Sequence, residues 1–237
     1  MKSDMTGKVA IITGASSGIG KASAIKFSQE GYKVTIVARD KKNLEATRQD
    51  MVSPDDVLII PADVTNESNI EKVVASTVQK WGRIDVVVNA AGIIGSGTIQ
   101  TTTLSDWDYM MNVNVCGPFY LIQQALPYLI EQKGAVVNVS SVTGLRAFPG
   151  ILAYCTSKAA IDQLTRCLAL ELAKDGVRVN AVNPGVVVTQ LHRRSGMDED
   201  KYAAFLEHSK TTHPLGRVGK PEEIADLIYF LGSPQSA

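Results

Sequence analysis

The stretch Val9-Ala10-Ile11-Ile12-Thr13-Gly14-Ala15-Ser16-Ser17-Gly18-Ile19-Gly20 reads as a strand, a turn and the start of a helix. Val9 to Thr13 is a short, continuously apolar run that stops at a glycine turn, which marks a strand buried on both faces. Ile19 to Glu30 continues as a helix, and Gly31 stands where that helix should stop. The three glycines allow a tight turn and a close backbone approach. Free N–H groups at a helix start, reinforced by the helix dipole, suit a pyrophosphate. Gly14, Ser16, Ser17, Gly18, Ile19 and Gly20 are the candidate contacts, although a purely structural turn uses the same residues. The spacing is G-x-x-x-G-x-G rather than G-x-G-x-x-G, and no Gly-Lys-Ser/Thr follows, so a P-loop is excluded.

Outward from the turn, the second apolar run, Lys33 to Ala38, leads into Arg39 and Asp40. A dinucleotide fold places the adenosine ribose at this strand end. An acid there selects NAD, but Ala38 holds that position and Arg39 follows, a guanidinium able to pair with a 2′-phosphate. The expectation is NADP, with Asp40 as a ribose acceptor for NAD the alternative. Asp63 and Val64 follow the third strand, where a carboxylate and a backbone group can meet adenine; Asp63 as an ordinary helix-start acid is the competing reading.

The same rhythm continues to the end of the chain. A charged helix spans about Lys41 to Asp50, a strand Val57 to Ile60, and a helix Asn66 or Glu67 to about Trp81-Gly82. Ile84 to Asn89 reads as the fourth strand, Ala135 to Ser140 as the fifth and Val177 to Asn183 as the sixth. Between them lie a long helical stretch from about Asp106 to Gln132, with Pro118 and Pro127 as kinks or breaks, and a helix from Tyr154 to Lys174. Alternating helices and continuously apolar strands predict an α/β fold, a doubly wound parallel sheet of Rossmann type with helices on both faces. No linker or repeat interrupts residues 1–237, so one domain is expected. Residues 191–210 break the rhythm as a helical insertion at the strand ends, which reads as a substrate lid or as a plain surface helix pair. Pro221-Glu222-Glu223 opens the last helix, which ends near Leu231-Gly232.

Composition narrows the function classes. Over 237 residues, 45% hydrophobic and 20% charged with zero formal net charge, nothing resembles a nucleic-acid surface or a disordered chain. No apolar run approaches the roughly 20 residues that span a bilayer, and residues 1–6 lack the apolar core of a leader. Cys116, Cys155 and Cys167 are too few and scattered for a disulfide framework or a metal site. A reducing, cytoplasmic setting and a small-molecule partner, with no nucleic acid, membrane or metal, are therefore expected.

Tyr154 and Lys158 are spaced i, i+4 and share one face of a helix. An ammonium near a phenol favours the phenolate, and a phenol so tuned exchanges protons during chemistry. The spacing alone also suits an ordinary shared helix face.

Taken together, Thr13-Gly14-x-x-x-Gly18-x-Gly20, Asn89-Ala90-Ala91-Gly92, Asn114, Ser141, Tyr154-x-x-x-Lys158 and Asn183-Pro184-Gly185 with Thr189 occur in an order that resembles the short-chain dehydrogenase/reductase superfamily. The resemblance runs from Gly7 to about Gly232. Pro214-Leu215-Gly216-Arg217-Val218-Gly219 before Pro221 is similar to 3-oxoacyl-[acyl-carrier-protein] reductase-like members. It implies that Tyr154 gives a proton to the substrate oxygen, or takes it back, and that Lys158 lowers the tyrosine pKa and binds the nicotinamide ribose. Ser141 would hold the carbonyl oxygen; Ser140 faces the other side of the strand. Asn114 would hold a water linking Lys158 to solvent. Asn89, Ala90, Gly92, Pro184, Gly185 and Thr189 would line the cofactor, with Thr189 anchoring its carboxamide.

Three departures accompany the resemblance. Ala90 stands where the family carries a second asparagine, and Ser17 where NADP users commonly carry a basic residue. Family members also continue into a last strand, whereas no further apolar run follows Gly232 here. An exposed edge beside the sixth strand is expected, with a weakened homo-oligomer, tetramer or dimer. Ile94, Val142, Leu145, Phe148, Leu152, Leu191, His192 and Met197 are candidate pocket walls, which suit an apolar carbonyl or alcohol; His192 reads better as a surface lid residue. Cys155 receives no role. The reading is an NADP(H)-dependent oxidoreductase that reduces a ketone or aldehyde, or oxidises the secondary alcohol, by hydride transfer, with Tyr154 as general acid/base. The alternatives are an NAD-linked alcohol or hydroxysteroid dehydrogenase and a catalytically silent dinucleotide-binding regulatory module.

Overall fold

The computed structural model describes residues 5–237; most of the N-terminal stretch read for a leader, residues 1–4, lies outside the described residues. Six strands, β1 (Val9–Thr13), β2 (Lys33–Ala38), β3 (Val57–Pro61), β4 (Val86–Asn89), β5 (Ala135–Val139) and β6 (Arg178–Val182), form one sheet in the order β3-β2-β1-β4-β5-β6. Every pairing is parallel. The order reverses between β1 and β4, and ligands of open α/β sheets bind at such a switch point. Among the described residues β6 is a sheet edge.

The continuously apolar strands follow from two cores. Alternate side chains point to opposite faces, so Ala10, Ile12, Val34, Ile36, Val86 and Val88 pack on one side with Phe27 and Ile228. Ile11, Val37, Val87 and Val136 pack on the other with Ile70, Val73, Leu121 and Leu129. Helices α1 (Gly18–Gln29) and α9 (Pro221–Gly232) supply the first face, α3 (Glu67–Trp81) and α5 (Gly117–Gln132) the second. Each such fully buried side chain contributes about 1.5–3 kcal/mol. The helix α2 (Lys41–Gln49) closes the β2–β3 crossover, capped by Asp40, whose side chain accepts from the Asn43 N–H.

The long helix predicted from Asp106 to Gln132 differs from expectation. It begins at Leu104, because the Thr103 hydroxyl caps the Asp106 N–H, and it runs as α4 (Leu104–Met111), a π segment (Asn112–Cys116) and α5. In the π segment Gly117 N–H donates to Asn112 O, five residues back. Pro118 has no N–H, so the carbonyl of Asn114 lacks its α-helical donor. Pro127 lies inside α5 without ending it. The next helix, α6 (Leu152–Leu172), starts two residues before Tyr154.

The insertion comprises α7 (Leu191–Arg194) and α8 (Glu199–Thr212). At the far end of the sheet, Arg178 on β6 donates to the carbonyls of Leu231 and Ser233 and to the Ser236 hydroxyl, fastening the last helix to the edge strand. Hydrogen bonds from a charged donor are worth about 1.5–3 kcal/mol. Arg178→Ala is expected to lower unfolding free energy by about 2–3 kcal/mol, read from urea denaturation; an unchanged midpoint would contradict this fastening.

Candidate active site

The glycine turn is shaped by contact with its neighbours. Gly14 has φ +68°, and a Cβ there would lie 2.6 Å from the Ala90 carbonyl oxygen, so no side chain fits between the turn and the chain leaving β4. The hydroxyl of Thr13, which heads the glycine motif but received no role of its own from the sequence, accepts from the Ala90 and Ala91 N–H groups, each at 3.1 Å, and pins that approach. Ser17 precedes α1 without capping it through its side chain. The first N–H groups of α1 thus have no side-chain cap, and the dipole adds positive potential.

From this turn a cleft of about 290 Å³ runs past Ala38, Arg39 and Asp40 to Ala62, Asp63 and Val64, and back to Ala91, Gly92 and Ile93. A more open cleft of about 550 Å³ lies beyond Ser16, Ser17 and Gly18, and Arg194 of α7 borders both. An uncapped helix start, a turn in which Gly14 admits no side chain and a cleft at the switch point fit a dinucleotide. Arg39 reaches the Tyr109 hydroxyl at 3.2 Å on the rim. Both carboxylate oxygens of Asp40 are engaged by Asn43. One oxygen of Asp63 accepts from both the N–H and the hydroxyl of Thr65, so the residue borders the cleft and shapes the turn at once.

Four side chains converge at the C-terminal ends of β4 and β5. Tyr154 is 6% exposed and packs with Met110, Ala153, Ile93 and Ile94. Its phenol lies beside the Ser141 side chain, whose oxygen accepts from the Thr143 N–H at 3.2 Å. Ser140 faces away, its hydroxyl donating to the Lys158 carbonyl. The Lys158 ammonium donates to the Val139 carbonyl at 2.9 Å and lies 5.7 Å from the centroid of the Tyr154 ring. Asn114 grips Ile93 from both sides, its oxygen accepting from the Ile93 N–H and its amide donating to the Ile93 carbonyl and to Ser157. A Cβ on Gly92 would lie 3.4 Å from the Asn114 oxygen and 3.6 Å from the Lys158 nitrogen, so the two side chains meet beside that glycine.

The electrostatics correct the expectation that Lys158 pulls the phenol down. Burial pushes the Tyr154 pKa up, the neighbouring Ser141 side chain opposes it, and Cys155 adds an upward push. Lys158 itself is lowered to about 8 by burial, with Asp162 one turn away opposing the shift. Desolvation disfavours the charged form of each. Burial is the largest cause of both shifts, which an i, i+4 spacing cannot reveal.

Other candidates are placed differently from one another. The Asn89 amide is committed to Asn138 on the neighbouring strand at 2.9 Å, so its side chain ties β4 to β5, and the cleft begins at Ala91. Thr189 lies against the turn: a Cβ on Gly18 would meet its methyl at 3.1 Å. Asn183, just before Pro184 and Gly185, donates to the Ser141 carbonyl and to buried Asp162, a pairing absent from the sequence reading. His192 is not a surface residue; it is half-buried against Phe205, ring centroids 4.6 Å apart, and burial lowers its pKa. Leu145 and Phe148 are exposed, whereas Ile94 adjoins Tyr154. No helix among the described residues is long and apolar enough to cross a membrane.

Comparison with known proteins places this geometry in context. Residues 14–237 match a family model described as Enoyl-(Acyl carrier protein) reductase. The 3-oxoacyl-[acyl-carrier-protein] reductase FabG of Thermotoga maritima is 43% identical over 98% of this chain and 93% of its own. A short-chain dehydrogenase/reductase of unknown function from Caenorhabditis elegans, solved with cofactor, superposes with TM-score 0.90 at 38% identity, covering 97% of this chain and 89% of that one. The 3-ketoacyl-(acyl-carrier-protein) reductase of Brucella melitensis, complexed with NADH, gives TM-score 0.88 at 31% identity over 98% and 93%. The chain belongs to the short-chain dehydrogenase/reductase superfamily, the nicotinamide-dependent oxidoreductases of alcohol and carbonyl groups.

Proposed function

We propose that this protein is an NADP(H)-dependent reductase of a ketone or aldehyde, or oxidises the matching secondary alcohol, with Tyr154 as the proton-exchanging group. The observation that carries this is the convergence of buried Tyr154, the Ser141 side chain beside it and the Lys158 ammonium, 5.7 Å from the centroid of the phenol ring. A bound nicotinamide supplies or accepts the hydride. Ser141 and Tyr154 present adjoining hydroxyls, so one substrate oxygen can receive both. Since the Ser141 oxygen already accepts from Thr143, its proton is free to stabilise charge growing on that oxygen. Burial keeps Tyr154 protonated at neutral pH, ready to donate to a nascent alkoxide. Lys158 then stabilises the phenolate left behind. Asn114 holds the Gly92–Ile93 backbone in place beside Lys158, and would hold a water linking Lys158 to solvent.

Gly14 through Gly20, with Ser16, Ser17 and Ile19, would hold the pyrophosphate; Asp63 and Val64 the adenine; Ala90, Gly92, Pro184, Gly185 and Thr189 the nicotinamide half. Residues 191–210 would form the lid over an apolar substrate, a 3-oxoacyl chain being the class the FabG relative suggests. Exposed Leu104, Phe119 and Leu170 support a homo-oligomer, dimer or tetramer.

NADP is favoured because Arg39 borders the cleft while Asp40 is occupied as a helix cap. A second reading, NAD linkage, draws on Ser17 in place of a basic residue and on the NADH bound by the Brucella relative. Fluorescence titration separates them. NADPH is expected to bind at least about tenfold tighter than NADH, and Arg39→Ala to erase that difference by weakening NADPH alone about 10- to 50-fold. Equal NADH affinity with a silent Arg39→Ala would overturn the cofactor assignment.

A further inference from the structure

The segment Pro184–Thr189 connects β6 to the insertion, and its backbone is held by fixed partners. Val142 N–H donates to the Pro184 carbonyl at 3.0 Å. The Val186 carbonyl accepts from Gly219 at 2.9 Å, and Val188 N–H donates to the Gly219 carbonyl at 3.0 Å. The hydroxyl of Tyr202, a residue 1% exposed on α8, donates to the Thr189 carbonyl at 3.0 Å. One backbone donor in the segment goes to a side-chain acceptor: Val186 N–H points to Nε2 of His213 at 3.0 Å.

The other nitrogen of that ring settles its tautomer. His213 Nδ1 lies 2.7 Å from the Ser209 carbonyl, one turn back on α8. A carbonyl only accepts, so Nδ1 carries the proton and Nε2 offers its lone pair to Val186. The ring also fills the space over the turn, since a Cβ on Gly185 would lie 2.7 Å from Nε2. His213 follows the last residue of α8, while Tyr202 sits near the start of that helix.

We propose that His213 is a positioning residue for the cofactor: through Val186 it sets where the Pro184–Thr189 segment lies, and with Tyr202 it makes α8 a brace joined to that segment at two points. The proposal rests on the reading that this segment serves the nicotinamide half. α8 moves only together with the segment, and α7 is tied to α8 in turn, through the Arg193–Glu199 ion pair and the packing of His192 on Phe205.

Three variants separate the parts of the ring. His213→Gln places an amide oxygen near the position of Nε2 and keeps an acceptor for Val186. His213→Asn keeps a donor near Nδ1 but is too short to reach Val186, and His213→Ala removes both. Amide hydrogen exchange at Val186 reads the bond directly. Titration with NADPH and with 2′,5′-ADP, which lacks the nicotinamide half, reads its consequence. Exchange at Val186 should accelerate in the Asn and Ala variants and stay slow in Gln. NADPH affinity should fall about 5- to 20-fold in Asn and Ala and stay within about twofold in Gln, with 2′,5′-ADP affinity unchanged throughout. If the Ala variant does not fold, the Gln and Asn pair gives the same comparison. Slow exchange at Val186 in the Asn variant would overturn the latch itself. Fast exchange with unchanged NADPH affinity would overturn the positioning role, and equal weakening of both ligands would overturn the assignment of the segment to the nicotinamide half.

Discussion

Tyr154→Phe is expected to lower kcat for carbonyl reduction by about 10³-fold, in the middle of the range for losing a positioned general acid. The ring stays, and with it the packing on Met110, Ala153 and Ile94. What goes is one oxygen, the group that lies beside Ser141. Ser141 keeps its bond from Thr143, so stability should fall by no more than about 1 kcal/mol. The cofactor cleft around Gly14, Arg39 and Asp63 is untouched, so NADPH should bind within about twofold of the parent. Steady-state turnover over a carbonyl panel, paired with cofactor titration, checks both halves. Turnover equal to the parent's would refute Tyr154 as the proton donor, and binding without turnover by the parent on every carbonyl would favour a regulatory module.

Lys158→Met carries the second large effect, and it is visible in stability as well as rate. The native lysine has a pKa of about 8 because burial disfavours its charge, whereas the unfolded lysine titrates near 10.5. Below pH 8 both states are protonated and the native protein bears the cost of a buried charge. Between pH 8 and 10.5 the unfolded chain binds more protons, so stability rises with pH across that window. The full gain is about 3 kcal/mol, from 1.36 kcal/mol per pKa unit. Tyr154, with its pKa raised, acts oppositely above pH 10, because the native state then holds the extra proton. That contribution is shared by parent and variant, so it largely cancels when their stabilities are subtracted. Urea denaturation at pH 7, 8, 9 and 10 should show the difference growing with pH in favour of the parent. A constant difference would mean that Lys158 is not desolvated. In turnover, the methionine variant should lose about 10²- to 10³-fold.

The sheet was legible because both of its faces are buried: strands such as Val86-Val87-Val88 must be apolar at every position when each neighbour feeds a different core. The glycine turn was legible for a steric reason, as Gly14 leaves no room for a side chain. What escaped depends on partners far away in sequence. The β4–β5 register sets Asn89 opposite Asn138, and the hydrogen bond from the Asn89 side-chain amide to the Asn138 oxygen follows from that pairing. Asp40 was ambiguous, although Asn43 three residues on carried the capping signal. His213 gave no local signal, and Thr13 stood in the glycine motif without a role of its own, because each acts by holding backbone N–H groups of a distant segment. The direction of the Tyr154 shift required knowing how deeply the pair is buried, which spacing does not report.

The π segment at Asn112–Cys116 has a consequence for how this chain tolerates changes of length. It accommodates one residue more than an α-helical turn would, so deleting one residue there would suit the helix. The same deletion would rotate everything on one side of it by about 100°, one residue's share of a 3.6-residue turn. Asn114 would swing away from Ile93 and Ser157, or α5 would turn Leu121 and Leu129 off the sheet. Surface loops elsewhere can absorb insertions and deletions, but here the count of residues is itself the functional trait. A single extra residue, lodged in an otherwise ordinary helix, keeps the spacing of two halves of the molecule in step.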